Sequence, residues 1–180
     1  MEAESSLQFA GVPDAFQRLW TPHRMAYVEG EEKPATQSSS DCPFCRAPSL
    51  SDEEGLIVHR GEHAFVLMNL FPYNSGHVLV CPYRHISLYP DISVDERNEI
   101  AALTVRAMEV LTTAVGAQGF NLGMNQGEVA GAGIAAHLHQ HVVPRYKGDA
   151  NFLPVIGQTK AVPQLIEDAR QVLVKNWERV

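Results

Sequence analysis

No stretch of this chain is apolar for long enough to cross a bilayer. Ala64 to Leu70 and Val78 to Cys81 are far too short, and the N-terminus lacks a basic-then-apolar signal pattern. The expectations are no membrane partner and a cytoplasmic location. Cationic residues are scarce: 14 Lys and Arg stand against 21 Asp and Glu, a formal charge of −7. Binding a long polyanion requires a basic field that neutralises phosphates, so nucleic acid is disfavoured as a partner. A nucleotide remains admissible, because a local site suffices to hold a small phosphate ester. Cysteine is rare as well. The three thiols cannot all pair, and Cys42 and Cys45 form a Cys-x-x-Cys, which in a reduced compartment points to metal or redox chemistry. Cys81, between Val80 and Pro82, reads as an inert core thiol. No internal repeat is visible. The 180 residues, 45% hydrophobic and 19% charged, suffice for one globular core and would cramp two full domains.

Residues 1–41 read as an N-terminal arm and linker, with Leu19-Trp20-Thr21-Pro22 through Val28 as a packed flap and Glu29 to Asp41 as a solvated connection. Residues 42–180 form the domain, closed by a C-terminal helix. Leu56 to His59, Ala64 to Leu70 and Val78 to Cys81, punctuated by Arg60-Gly61 and by Pro72 to Gly76, predict an antiparallel meander. Ser93 with Glu96 three residues on is a capping box, and Ile100, Leu103, Ala107, Val110, Leu111 and Ala114 recur at helical spacing. A helix from Val94 to Ala117 follows. Phe120 to Met124 and His137 to Val143 read as strands, the second stopped by Pro144. Pro163 opens a closing helix carrying Leu165, Ile166, Ala169, Val172, Leu173 and Trp177 on one face. The fold class expected is α+β: a mainly antiparallel sheet of about five strands, one long helix packed on it and the C-terminal helix.

The strongest chemical signal is His137-Leu138-His139-Gln140-His141-Val142-Val143. Strand side chains alternate faces, so three imidazoles share one side with Cα atoms about 6.5 Å apart. A row of buried polar rings needs a purpose. A metal site made of the three alone is one. Phosphorus chemistry is the better one, because a neutral imidazole nitrogen can attack phosphorus and split one displacement into two. Backbone N–H groups of the loop from Asn125-Gln126-Gly127 to Gly131-Ala132-Gly133 can stabilise charge on the phosphate oxygens. The Cys-x-x-Cys pair supplies half of a tetrahedral metal site, and its spacing does not name the other two ligands. Arg46 to Ser49 reads as a loop without the helix that would lower a thiol pKa, which disfavours a redox role.

With Asn69-Leu70-Phe71-Pro72-Tyr73-Asn74-Ser75-Gly76-His77-Val78-Leu79-Val80, Pro82-Tyr83-Arg84-His85-Ile86, Gly123-Met124-Asn125 and His137 to Arg145 in order, the sequence resembles the histidine triad family. Arg18 to Pro22, Leu50 to Leu56, Gly148 to Phe152 and Pro163 to Leu165 are similar to its branch of diadenosine tetraphosphate phosphorylases. The resemblance implies the family's fold and catalytic histidines His139, His141 and His137. His139 would attack the α-phosphorus of a dinucleoside polyphosphate to give a nucleotidyl-histidine, and His141 would contact phosphate. Asn69 would hold the ribose hydroxyls, and Asn125, Gly131 and Gly133 would complete the substrate site. Inorganic phosphate as acceptor would give ATP and ADP. Water would make the protein a hydrolase of dinucleoside polyphosphates or nucleoside phosphoramidates, and a non-catalytic zinc-stabilised nucleotide-binding module is a third possibility. Zinc-containing relatives imply a structural zinc on Cys42, Cys45, His85 and His137. A homodimer joined sheet edge to sheet edge, or a homotetramer, is implied as well. Two residues depart from the pattern. Gln140 replaces the usual apolar residue, and Gly133-Ile134 stand where many members place a polar side chain against phosphate.

Overall fold

The computed structural model describes residues 38–149 and 164–179. The expected flap, most of the arm and linker, and Pro163 lie outside them; residues 38–41 form an exposed turn. Two strands are apolar at every position. β2 (Ala64–Met68) and β3 (Val78–Pro82) bury all their residues, which requires cover on both faces of the sheet. Ala64, Val66, Met68, Val78 and Val80 join one cluster, while Phe65, Leu67, Leu79 and Cys81 join another on the opposite face. The five-stranded sheet runs in the order β1-β2-β3-β5-β4 and is antiparallel throughout, with β1 at Ile57–Arg60, β4 at Gly119–Gly123 and β5 at Gln140–Arg145. The α+β architecture is thus as expected.

The first face is covered by α2 (Val94–Val115), whose Ile100, Leu103, Ala107, Val110 and Leu111 form the buried stripe. Burying each of the larger ones, Ile100, Leu103, Val110 and Leu111, contributes about 1.5–3 kcal/mol of transfer free energy. Both halves of the capping box are made, and Gly116, in the left-handed region at φ 70°, ends the helix two residues before the expected limit. Glu96 also receives a two-pronged hydrogen bond from Arg84 at 2.6 and 2.7 Å, which ties the start of α2 to the segment after β3. At the far edge α3 (Ile166–Trp177) lies across β1. Its buried Arg170 donates to the Ile57 carbonyl at 3.0 Å, and Trp177 stacks on His59. No helix among the described residues is long and apolar enough to cross a membrane.

The triad segment differs from expectation. β5 begins at Gln140, so His137 to His139 precede the strand, and Pro144 lies inside it. The Leu138 N–H is taken by the Ile86 carbonyl at 2.6 Å, which keeps this lead-in outside the ladder. Pro144 is tolerated because β3 pairs only with Gln140 to Val142, so at Pro144 the strand has a neighbour on one side alone, Phe120 of β4. Arg46 to Ser49 are not a plain loop either: α1 (Pro43–Arg46) follows its N-cap Cys42, and Ala47–Ser49 add a 3-10 turn.

Candidate active site and metal centre

Alternation survives the late start of β5. Leu138 and Val142 enter the cluster under α2. His141 pairs with Leu79, which belongs to the other cluster, so the histidines face away from the long helix. All three are buried, and the His139 and His141 ring centroids lie 4.9 Å apart.

Hydrogen bonds to groups that can act in only one sense assign the tautomers. The His139 Nδ1 lies 2.8 Å from the His137 carbonyl oxygen, which only accepts; Nδ1 therefore carries the proton, and Nε2 keeps a free lone pair. The Tyr73 backbone N–H, which only donates, meets His77 Nδ1 at 3.0 Å, and the Asn69 amide stands 3.2 Å from the same nitrogen. The His77 proton is then on Nε2, donated to His141 Nδ1 at 3.0 Å. His141 is left with an N–H on Nε2. One ring thus offers a lone pair and its neighbour a donor.

His77 stands outside the triad, directly before β3. The structure buries it completely and makes it the partner of His141. The available signal was a histidine beside a glycine turn, directly before an all-apolar strand. Gly76, at φ 78°, makes the entry: a side chain there would approach Leu111 to 3.0 Å. Asn69 directly follows β2, with its side-chain Oδ1 accepting from the Phe71 N–H at 3.0 Å. Asn125 lies two residues beyond the Gly123–His141 pair. Gly131, at φ 79°, closes a short 3-10 turn over Glu128–Ala130, and its N–H is taken by the Glu128 carbonyl. It can admit a ligand by lacking a side chain, whereas its amide is already engaged. Gly133 is half-buried further along the same loop.

Burial, with help from His141 and His139, pushes His77 down to about 3, and burial with His139 pushes His141 down to about 4. Both stay neutral in the fold far below the ordinary value of 6.5. Between these limits the unfolded chain binds protons that the folded chain refuses, so stability is full above about pH 6.5 and falls as the pH drops. On the order of 4 kcal/mol should be lost for the pair by about pH 5. Thermal denaturation at a series of pH values measures this, and a melting temperature flat between about pH 7 and pH 5 would contradict a buried neutral pair.

His137 turns the other way. Its Nε2–H donates to the Pro82 carbonyl at 2.9 Å, which leaves the Nδ1 lone pair toward Cys42 Sγ at 3.4 Å and Cys45 Sγ at 3.5 Å. His85 Nδ1 stands 3.2 Å from Cys45 Sγ. The four donor atoms lie within 4.8 Å of one another. A tetrahedral ion with bonds of about 2.0–2.3 Å spaces its donors roughly 3.3–3.8 Å apart; the three sulfur–nitrogen contacts of 3.2–3.5 Å are close to that, and two sulfurs with two imidazoles are a suitable donor set. The backbone carbonyl on the far nitrogen of His137 is a common outer partner of a ligating histidine. Burial, and then Cys42, raises the Cys45 thiol to about 11, so a pair of thiolates here calls for a cation as counter-charge. Cys81 is fully buried, with its pKa raised chiefly by burial, as fits an inert core thiol.

Comparison with known proteins identifies relatives of this chain. The HIT domain model matches residues 52–148. An "AP-4-A phosphorylase" of Mycobacterium tuberculosis is 45% identical over 172 residues, covering 94% of this chain and 88% of the relative. Among solved structures, a hypothetical histidine triad nucleotide-binding protein of Sulfolobus tokodaii is 26% identical with a TM-score of 0.63, covering 77% of this chain and 93% of its own. A Zn-bound histidine triad family protein of Mycobacterium smegmatis, 24% identical with a TM-score of 0.62, shares the fold over 79% of this chain and 96% of its own.

Proposed function

Because the chain belongs to the HIT domain family, we propose that it transfers nucleotidyl groups through His139, and that its reaction is phosphorolysis of diadenosine tetraphosphate to ATP and ADP. The observation that carries this reading is the His139 ring, neutral by its surroundings and with its proton committed to the His137 carbonyl. Nε2 attacks the α-phosphorus, and the bond from that phosphorus to the bridging oxygen of the β-phosphate breaks. ATP leaves and AMP stays on the histidine. The Nδ1–H to the His137 carbonyl stabilises the positive charge the ring acquires. His141, its donor nitrogen set by His77, hydrogen-bonds the phosphate oxygens. Inorganic phosphate then attacks the same phosphorus from the other side, releasing ADP and restoring His139. Asn69 retains one free lone pair and one free N–H for ribose hydroxyls, and Asn125, Gly131 and Gly133 border the phosphates.

For the metal centre the reading is a zinc ion held by Cys42, Cys45, His85 and His137, supported by two sulfur and two nitrogen donors gathered within 4.8 Å of one another. Bound there, zinc cross-links the chain and leaves no open position for an activated water. The reading also includes a homodimer through β4. The β1 edge is covered by α3, whereas β4 is the other end of the sheet and carries Leu122 half-exposed.

One sample tests these points. Incubated with diadenosine tetraphosphate and inorganic phosphate, it should yield ATP and ADP only when phosphate is present. AMP and ATP without phosphate would make it a hydrolase instead, and no products would reduce it to a binding module. Light scattering of the same sample should give twice the chain mass, and the mass of a single chain would remove the β4 dimer.

A further inference from the structure

The two thiols of the metal centre flank an aromatic ring that neither coordination nor the reaction itself accounts for. Phe44, in Cys42-Pro43-Phe44-Cys45, is buried, with its ring centroid 5.0 Å from that of His139 and 5.6 Å from that of His137. It touches both the metal ligand and the nucleophile. α1, which carries it, is four residues long and has no side-chain cap, so its own hydrogen bonds cannot hold the ring in place. Its anchors are Cys42 at one end, Cys45 at the other and the apolar cluster beneath.

We propose that Phe44 is a positioning residue that couples the metal centre to the nucleophile. The thiolates clamp the single helical turn, and the turn presses the aromatic ring against one side of the His139 imidazole. The hydrogen bond from His139 Nδ1 to the His137 carbonyl decides which nitrogen faces the substrate. That bond still leaves the ring free to tilt about its own axis, and Phe44 blocks the tilt. Both restraints trace back to the ion, one through the thiols and the other through His137, whose ring is a ligand and whose carbonyl is the acceptor. The inference rests on His139 being the nucleophile.

The test uses the metal-loaded protein and two substitutions, Phe44→Leu, which keeps most of the volume, and Phe44→Ala, which removes it. Misplacing a reacting group by an ångström costs about 100-fold, so Phe44→Ala should slow formation of the nucleotidyl adduct about 30-fold, and Phe44→Leu about 3-fold. KM should change less than about 2-fold, because Phe44 acts on the attacking atom rather than on substrate binding. Metal per chain, measured on the same samples, should stay at the wild-type value. An independent readout is the His139 Nδ1 proton in the NMR spectrum, which the hydrogen bond protects from exchange. It should be sharp in the wild type, broadened in Phe44→Leu and lost in Phe44→Ala. Unchanged adduct rates and an unchanged proton signal overturn the proposal. So does a loss of rate that only follows the fraction of folded, metal-loaded protein. If Phe44→Ala does not fold, Phe44→Leu decides by the same two measurements. Should wild-type protein form no adduct, the nucleotidyl-transfer reading fails, and the proton signal alone decides whether Phe44 orders His139.

Discussion

His139→Ala should abolish the covalent nucleotidyl adduct and lower turnover by about four orders of magnitude, with metal content and fold near normal. The size follows from what the ring supplies. No other group in the row can take over, because His137 directs its free nitrogen to the thiols and His141 presents a proton rather than a lone pair. The residual rate would come from binding and phosphate stabilisation alone. Rapid quenching followed by mass spectrometry of the intact chain measures the adduct. Turnover retained within about 10-fold, or an adduct mapped to another residue, would falsify the assignment of His139 as nucleophile.

Replacing both Cys42 and Cys45 by serine, or stripping the metal with a chelator, should lower the melting temperature by about 10 °C or more. The ligands come from three distant parts of the chain: the start of α1, the segment after β3 and the lead-in to β5. An ion joining them contributes binding free energy directly to folding. The effect stays below the full value of a zinc-folded peptide because the cluster under α2 does not depend on the site. Turnover should fall along with stability. A sample that is free of metal yet melts unchanged would remove the four-residue cluster as a metal centre.

The readable parts of the chain were those governed by local rules. The capping box of α2, its buried stripe and the three strands of the meander followed from side-chain chemistry and periodicity, and each was found within a residue or two of its place. Local pattern and structure part where a long-range contact competes or where an element is very short. His137 to His139 look like strand, but the Ile86 carbonyl holds Leu138 outside the ladder. Pro144 looks like a stop, but the strand on one side has already ended there. α1 looks like loop, because a single turn has too few residues to announce itself and is held instead by its flanking cysteines.

By itself the sequence determined that three imidazoles share one face, since spacing by two has that consequence in any extended backbone, and that two thiols stand ready for a soft cation. Tertiary structure decided everything about the protons. The sequence does not say that His137 turns toward sulfur, that His139 spends its proton on a carbonyl, or that the otherwise unremarked His77 sets the donor on His141. Each of these depends on which fixed donor or acceptor lies within about 3 Å of a ring nitrogen, and that distance exists only once segments far apart in the chain have packed together.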